Sequence, residues 1–301
     1  MNPLNPADLH TDPSLFVGTD VYAVAGNPIS HTKSPDIHRR FAEQAKQKMH
    51  YGRLQPDINA FAVAAKSFFD AGGKGMSVTV PFKLDAQVFA DVLTSRAQLA
   101  GAVNTLWIKD GKIYGDNTDG AGLVRDLLAQ GIALHQSRIL LLGAGGAARG
   151  VVGPLLQQSP KCLVIANRSN TKADELVKLF ADIAASQEVA LESRTLLELE
   201  NATTTPYPFD LIINATAAGL TDESPLSTQA VANIFVPSSF AYDMVYGKLT
   251  AFMQQALKKG ARVSDGLGML VEQAADAFLL WRGEQLATAI DPRAVLAKLR
   301  S

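Results

Sequence analysis

The sequence predicts a two-domain α/β protein in which each domain is built on a mostly parallel sheet. Three observations support this fold class. Short apolar runs alternate with helical patterns from about residue 20 onward, and a second such series begins at Arg138. The 301 residues also suffice for two domains of ordinary size.

The first series alternates strands with helices and includes a hairpin around Asp110-Gly111, a strong turn signal. The predicted elements are a strand at Val21–Ala25, a helix at Pro35–Gln47, a strand at Met49–Leu54, a helix at Ile58–Phe69, a β-rich run at Ser77–Val80, and hairpin strands at Thr105–Ile108 and Lys112–Tyr114.

The second series predicts four strands, at Ile139–Leu142, Cys162–Ala166, Leu211–Asn214 and Phe240–Met244, with helices at Ala147–Gln157 and Lys172–Ile183. The polar segment Ser186–Pro208 should carry a short strand and a loop that contains Thr203-Thr204-Thr205-Pro206. A final helix at Leu267–Arg282 follows; periodicity leaves open whether it returns to pack on the first domain.

Composition excludes several classes of partner. The net charge of −1 gives no reason to expect a nucleic acid or an anionic membrane surface. Apolar runs such as Ile139–Leu142 are far shorter than the roughly 20 residues of a membrane span. Met1–Phe16 has no Lys or Arg and is interpreted as a loose extension rather than a secretory signal. The single cysteine, Cys162, is predicted to pack in the buried core, and the absence of a possible disulfide pair in the sequence fits a reducing, cytoplasmic location. No metal site is predicted.

A glycine-rich turn between a strand and a helix is the sharpest motif. Ile139–Leu142 leads into Gly143-Ala144-Gly145-Gly146-Ala147-Ala148-Arg149. Glycines in such a turn allow close approach to a pyrophosphate, and the helix that follows offers free N–H groups and a partial positive charge. The sequence therefore predicts a Rossmann-type dinucleotide site.

The end of the next strand indicates which dinucleotide is bound. An NAD site usually has Asp or Glu there, for the ribose 2′-hydroxyl. This chain has Asn167-Arg168-Ser169, followed by Lys172. A guanidinium can hold a phosphate through paired hydrogen bonds, so the pattern favours NADP. The alternative is a solvated helix start without a ligand.

Four segments of the first half place polar residues where a sheet edge should open: Gly26–Pro35, Ser77–Lys83, Gly101–Thr105 and Gly115–Gly120. Pro35 suits the first turn of a helix, so the nearby hydroxyls would suit a carboxylate ligand. From spacing alone, Ser34 could equally be only an N-cap, Lys83 a surface lysine and Asp119 a helix cap.

Together these motifs resemble the shikimate dehydrogenase family. The match runs in order from Gly26 to about Trp281. Besides the segments above it includes Asn214-Ala215-Thr216, Tyr242–Tyr246 and Asp265–Ala274. The resemblance implies a substrate-binding and catalytic domain of residues 1–119, completed by 266–301, with a Rossmann-type NADP domain at 120–265.

The resemblance also implies the reaction, which is reversible NADPH-dependent reduction of 3-dehydroshikimate to shikimate. The chain would be an oxidoreductase of chorismate and aromatic amino acid biosynthesis, a monomer or homodimer whose partner is the small-molecule substrate.

Site residues follow from the resemblance position by position. Lys83 and Asp119 would be the catalytic pair. The substrate would be bound by Thr32, Ser34, Thr79, Asn104, Tyr246 and Gln273. The cofactor would be bound by Gly143, Ala144, Gly145, Gly146 and Ala147 at the pyrophosphate, by Asn167, Arg168, Ser169 and Lys172 at the 2′-phosphate end, and by Met244 and Gly266 beside the nicotinamide.

Two departures from the family pattern keep alternatives open. Thr32 stands where Ser is usual, which adds a methyl beside the carboxylate, and Lys172 stands where Arg is frequent. The main rival is a quinate/shikimate dehydrogenase paralogue with relaxed substrate or cofactor choice. The other two alternatives are a non-catalytic NADP sensor and a folate-pathway dehydrogenase of similar architecture. The presence of Lys83 and Asp119 disfavours the sensor, and the substrate-site motifs disfavour the folate enzyme.

Overall fold

The computed structural model of the chain describes residues 6–201, 203, 208–221 and 223–301. These residues form two compact units. One comprises the chain up to Gly122 together with Leu270–Ser301, and the other comprises Leu123–Met269. Within the described ranges, no helix is both long enough and apolar enough to cross a lipid bilayer.

The first unit contains one six-stranded sheet and the helices that cover it. Its strands are β1 (Asp20–Ala25), β2 (Met49–Leu54), β3 (Gly75–Val78), β4 (Val92–Leu93), β5 (Thr105–Lys109) and β6 (Lys112–Asp116). Its helices are α1 (Ser34–Gln44), α2 (Phe61–Asp70), α3 (Lys83–Phe89) and α4 (Ser95–Ala100), and α5 (Asp119–Ala129) begins in this unit and continues into the other.

The first sheet has the strand order β2-β1-β3-β5-β6-β4. β1 pairs in parallel with β2 and β3, and the predicted hairpin β5–β6 is antiparallel. Alternate residues of β1 face opposite sides, as a pleated strand requires: Val21 and Ala23 pack against the phenylalanines of α2, whereas Tyr22 and Val24 pack on the other face with Tyr51.

Two expectations for the first unit are wrong. The β-rich run Ser77–Val80 ends as a strand at Val78, because Thr79 enters a turn in which its carbonyl accepts the Phe82 N–H at 3.0 Å. The N-terminal extension is not loose where it is described. The Thr11 N–H donates to the Arg53 carbonyl at 3.0 Å, and the Phe16 ring stacks on His50 at 3.8 Å. Residues 1–5 lie outside the described part of the chain.

The second unit is a parallel six-stranded sheet in the order β12-β11-β10-β7-β8-β9. The strands are β7 (Arg138–Leu142), β8 (Cys162–Asn167), β9 (Ala190–Thr195), β10 (Leu211–Asn214), β11 (Phe240–Asp243) and β12 (Arg262–Asp265). The helices are α6 (Gly146–Leu156), α7 (Asn170–Ser186), α8 (Thr228–Ile234) and α9 (Ala251–Lys258).

The sheet of the second unit has the Rossmann strand order, in which successive crossovers run outward in opposite directions from β7 and β10. Ligands of such sheets bind beyond the carboxyl ends of the strands at this switch point. β9 is the short strand predicted in the polar segment, whereas residues 204–206 of the predicted loop lie outside the described residues. Cys162 is buried in β8, as predicted.

The C-terminal helices complete the first unit. α10 (Leu267–Arg282) and α11 (Pro292–Arg300) follow β12. Val271 and Phe278 of α10 pack in one apolar cluster with Phe41 of α1, and the Trp281 indole donates to the Leu106 carbonyl at 3.1 Å. The structure thus answers the question that periodicity left open, because α10 returns to pack on the first domain.

Candidate active site

A lysine and an aspartate from distant parts of the chain form a buried ion pair in the first unit. Lys83 is the first residue of α3, and Asp119 is the first residue of α5. Nζ of Lys83 lies 2.5 Å from Oδ2 of Asp119, and the two side chains are only 14% and 6% exposed. Lys83 is therefore not a surface lysine. At the start of α5, the Asp119 N–H donates to the side-chain oxygen of Asn117.

A network of amide and hydroxyl groups fixes the other oxygen of the aspartate. The Asn104 amide nitrogen lies 2.9 Å from Oδ1 of Asp119 and 3.2 Å from the amide oxygen of Gln273. The Asn104 amide oxygen accepts the Thr118 N–H at 2.9 Å. Because both carboxylate oxygens are engaged, the orientation of Asp119 is set before any ligand binds. Asn104 and Gln273, predicted from separate segments, belong to one cluster with the ion pair.

Two hydroxyl groups meet at the start of α1. Oγ1 of Thr32 lies 3.1 Å from Oγ of Ser34, and both residues are buried. Ser34 is the first helical residue and Lys33 occupies the N-cap position without a side-chain hydrogen bond, so the N-cap interpretation of Ser34 is wrong. The Ser34 N–H donates to Oγ1 of Thr32 at 3.3 Å, and two hydroxyls at a helix N-terminus form a favourable environment for a carboxylate.

Three residues of the neighbouring strands extend this hydroxyl pair. The Tyr51 phenol donates to Oγ of Ser77 at 2.8 Å, and Nη2 of Arg53 donates to the Thr32 carbonyl at 3.3 Å. Nε of Arg53 is buried with no hydrogen-bond partner among the described residues. Burial raises the pKa of the Tyr51 phenol well above its ordinary value, so this group is a neutral donor. Ser77 begins one of the predicted polar segments. Tyr51 and Arg53 were missed, because neither strand sequence alone predicts that β2 pairs with β1.

A histidine lies behind this cluster in an aromatic environment. His38 of α1 stacks on the Tyr51 ring, with centroids 4.1 Å apart, and lies 5.1 Å from the Trp281 ring. It is fully buried, and neither ring nitrogen has a hydrogen-bond partner among the described residues. Burial lowers the pKa of His38 to about 3, so the imidazole is neutral at physiological pH.

Thr79 lies beside the first polar segment. It follows β3, is half-buried, and its N–H donates to the Ala25 carbonyl at 2.9 Å. A β-carbon on Gly26 would lie 2.5 Å from the Thr79 methyl group, so only glycine fits at that position. The structure thus brings Thr79 against the start of the segment that carries Thr32 and Ser34.

The glycine-rich turn in the second unit has the geometry expected of a pyrophosphate cradle. Gly143 follows β7 with a φ of +108°, a conformation that favours glycine. α6 begins at Gly146, and its N-cap residue, Gly145, has no side chain that could cap the helix. No described heavy atom lies within 4 Å of the position that a β-carbon on Gly145 would take. Ala144 is buried beneath the turn, and Ala147 lies in the first turn of α6. A phosphate could therefore approach the backbone N–H groups closely.

The residues predicted for the 2′-phosphate end surround the start of α7. Asn167 ends β8, and its amide nitrogen donates to the Ser169 carbonyl at 2.9 Å. Ser169 is the N-cap residue, and the side chains of Arg168 and Lys172 are exposed. Two cations at an uncapped helix start suit a phosphate dianion.

Met244, Tyr246 and Gly266 follow the last two strands of the second sheet. The Met244 N–H donates to the Asn214 carbonyl at 3.0 Å, and the Gly266 N–H donates to the Val245 carbonyl at 3.1 Å. A β-carbon on Gly266 would lie 2.2 Å from the Met244 carbonyl oxygen, which explains glycine at this position. Tyr246 is half-buried.

Comparison with known proteins gives matches along most of the chain. Residues 24–106 match the family model described as the shikimate dehydrogenase substrate binding domain, and residues 126–221 match the model for shikimate / quinate 5-dehydrogenase. A relative from Janthinobacterium sp. (strain Marseille), named shikimate dehydrogenase (NADP(+)), is 49% identical over 284 residues, which cover 94% of this chain and 97% of the relative.

Two solved structures illustrate the similarity of fold. An Ael1 enzyme from Pseudomonas putida is 43% identical, with a TM-score of 0.79 and coverage of 93% of this chain and 98% of its own. Shikimate 5-dehydrogenase from Thermus thermophilus, solved in complex with NADP(H) and shikimate, is 30% identical, with a TM-score of 0.79 and coverage of 94% and 99%.

Proposed function

The chain belongs to the shikimate dehydrogenase family, and we propose that it catalyses the reversible reduction of 3-dehydroshikimate to shikimate by NADPH. It is an NADP-dependent oxidoreductase that acts on a CH–OH group, as a cytoplasmic enzyme of chorismate and aromatic amino acid biosynthesis. The observation that carries the proposal is the buried Lys83–Asp119 pair, held by Asn104 at 2.9 Å. This cluster is buried and contains two charged groups, a combination that suits catalysis at a carbonyl group.

The ion pair acts on the carbonyl oxygen of the substrate. NADPH supplies the hydride when it is bound. As negative charge develops on the ketone oxygen, the Lys83 ammonium group contacts that oxygen and donates a proton. Asp119 holds the ammonium group in position, and Asn104 fixes the orientation of Asp119. In the reverse direction Lys83 takes the proton from the alcohol.

The hydroxyl pair at the start of α1 holds the substrate carboxylate. Thr32 and Ser34 offer two hydroxyls 3.1 Å apart at the N-terminus of a helix, and Arg53 adds a positive charge on the Thr32 side. Thr79 and Gln273 contact the ring hydroxyls, and Tyr246 is the substrate-binding residue assigned to the second unit. Substrate binding is thus assigned mainly to the predicted domain of residues 1–119, completed by 266–301.

NADP binding is assigned to residues 120–265. Gly143, Gly145 and the N-terminus of α6 hold the pyrophosphate, with Ala144, Gly146 and Ala147 in the same turn. Asn167, Ser169, Arg168 and Lys172 hold the adenosine 2′-phosphate. What supports this assignment is the open space at Gly145 and the exposure of the two cations. Met244 and Gly266 lie at the nicotinamide end.

Quinate is the second candidate substrate. Thr32 adds a methyl group beside the carboxylate site, and this change could alter the choice between the two acids. Quinate carries a hydroxyl at the carboxylate-bearing carbon, whereas shikimate has a planar ring carbon there. The shape of the pocket around Thr32 therefore affects the choice between shikimate and quinate.

Initial rates with shikimate and quinate, each with NADP and NAD, test the proposal. We expect fast turnover with shikimate and NADP and much slower turnover with the other three pairs. Comparable rates with quinate or NAD would assign the chain to the broader quinate/shikimate class. No turnover with any pair would overturn the enzymatic proposal.

A further inference from the structure

Two fully buried polar side chains face each other at the carboxyl edge of the second sheet. Asn214 ends β10 and Asp243 ends β11, and they are partners in the parallel register of these strands. The Asn214 amide nitrogen donates to Oδ2 of Asp243 at 3.1 Å. β10 lies next to β7, the strand that leads into the glycine-rich turn, so this pair stands at the edge where Rossmann sheets bind their ligands.

Asp243 anchors the loop that follows β11. Its Oδ2 also accepts the Thr250 hydroxyl at 2.6 Å, and its Oδ1 accepts the Val245 N–H at 3.0 Å. The chain between these two donors includes Tyr246, and Met244 is held between Asp243 and Val245. One carboxylate thereby fixes both ends of the loop that carries two predicted site residues.

Asn214 anchors the loop that follows β10. Its amide oxygen accepts the Thr216 N–H at 3.1 Å and the Thr216 hydroxyl at 2.7 Å. A β-carbon on Gly143 would lie 3.2 Å from both the Ala215 carbonyl oxygen and the Thr216 methyl group. The Asn214 loop therefore packs directly against the glycine-rich turn.

The carboxylate of Asp243 is held by dipoles rather than by a cation. Its hydrogen-bond donors among the described residues are a hydroxyl, an amide and a backbone N–H, and burial raises the pKa of Asp243 above its ordinary value. A buried carboxyl group is costly unless its hydrogen bonds are satisfied. An apolar pair would join two strands at a lower cost in desolvation, so this arrangement fits a role in orienting loops.

We propose that Asp243 and Asn214 form a positioning pair for the nicotinamide end of the cofactor. The pair links the glycine-rich turn to the loop of Met244 and Tyr246 and fixes the distance between them. This inference rests on the proposed function, in which Met244 lies beside the nicotinamide. The two residues touch neither substrate nor cofactor, and they act through the loops that they hold. Small errors in the position of a hydride donor can reduce the rate about 100-fold.

Exchanging the donor and the acceptor of the pair tests this role. In Asp243→Asn, the side chain keeps one acceptor oxygen in place of two, so either the Val245 N–H or the Asn214 amide and the Thr250 hydroxyl lose their acceptor. The double variant Asp243→Asn with Asn214→Asp restores a donor and an acceptor at the same two positions. Asn233→Asp is the matched control, because Asn233 is a half-buried amide of the same unit whose hydrogen bond within the described ranges goes to the Leu199 carbonyl, at 3.1 Å.

Three measurements separate positioning from general damage. They are kcat for shikimate oxidation by NADP, the isotope effect on kcat with shikimate deuterated at the oxidised carbon, and the Kd of adenosine 2′,5′-bisphosphate. This probe has the 2′-phosphate end of the cofactor but lacks the nicotinamide. We expect Asp243→Asn to lower kcat at least tenfold and raise the isotope effect, while the Kd of the probe changes less than twofold. The double variant should recover most of kcat.

Wild-type turnover is measured first, because its absence would overturn the proposed function rather than the positioning role. With an active wild type, the positioning role is refuted if Asp243→Asn retains kcat and the isotope effect within twofold. It is also refuted if the Kd of the probe rises as much as kcat falls, or if the double variant recovers nothing. If Asp243→Asn does not fold, Thr250→Val removes the 2.6 Å hydrogen bond to Asp243 together with the bond that Oγ1 accepts from the Met253 N–H at the start of α9. Thr250→Ser, which keeps both bonds, is its control, and the same criteria apply.

Discussion

Replacing His38 should make the stability of the first unit less sensitive to acid. The imidazole is fully buried, both of its nitrogens lack partners among the described residues, and burial lowers its pKa to about 3 from an ordinary 6.5. Because the unfolded chain binds a proton more readily than the folded one, the folded state loses stability as the pH falls from 6.5 towards 3.

The size of the effect follows from the two pKa values. At about 1.4 kcal/mol per pKa unit, the full loss below pH 3 is about 5 kcal/mol. Between pH 8 and pH 5 the loss is about 2 kcal/mol, a range in which the protein can be studied without strong acid. His38→Leu keeps a similar volume and removes the titrating group, so this part of the pH dependence should disappear.

Urea unfolding followed by tryptophan fluorescence measures the change. Both tryptophans, Trp107 and Trp281, belong to the first unit, so the signal reports on the unit that contains His38. The free energy of unfolding is compared at pH 8 and pH 5 for the wild type, His38→Leu and the control His135→Leu, which alters an exposed histidine of the second unit. Equal losses in the wild type and His38→Leu would refute a neutral, buried His38.

Three further changes address the candidate site. Lys83→Ala should lower kcat about 100-fold or more, because the group that contacts the ketone oxygen is lost. Lys74→Ala, at an exposed position, is its control. Near-normal turnover of Lys83→Ala would contradict the catalytic role of Lys83. Arg168→Ala should raise the KM for NADPH about 10-fold or more and leave the KM for NADH unchanged, since only the former carries the phosphate; an equal rise for both would remove Arg168 from the 2′-phosphate site. Gly145→Ala should fold with wild-type thermal stability, because its β-carbon meets open space. It should nevertheless bind NADP weakly, as measured by calorimetry. Unaltered affinity would argue against a close approach of the pyrophosphate to Gly145.

The parts of the fold that the sequence predicted are those with strong local signals. β7, β8 and β10 are continuous apolar strands, and Gly143 and Gly145 mark the turn after β7, so the Rossmann-type unit was predicted correctly. β12 was missed because only one residue of Arg262–Asp265 is buried, so the strand has no apolar run. α3 and α4, with seven and six residues, are too short for helical periodicity to be distinctive.

In the candidate site, too, residues in local motifs were predicted, and residues placed by long-range pairing were not. Lys83 and Asp119 were identified from the ordered set of motifs, and the ion pair between them was then seen in the structure. The contacts of Tyr51, Arg53 and His38 depend on which strand lies beside β1 and which helix covers it. Such long-range pairings are not encoded in any single segment, and a buried histidine without partners has no sequence pattern.

The return of the chain from the second unit to the first has a consequence for biosynthesis. The first unit lacks α10 and α11 until Leu270–Ser301 has left the ribosome. Leu123–Met269 takes roughly 7 to 30 s to translate at about 5–20 residues per second, long enough for this segment to fold as it emerges. During that time, the apolar surface around Phe41 that Phe278 later covers remains exposed on the nascent chain. Chaperones that recognise exposed aromatic surface would therefore encounter this protein chiefly through its amino-terminal half, before translation ends.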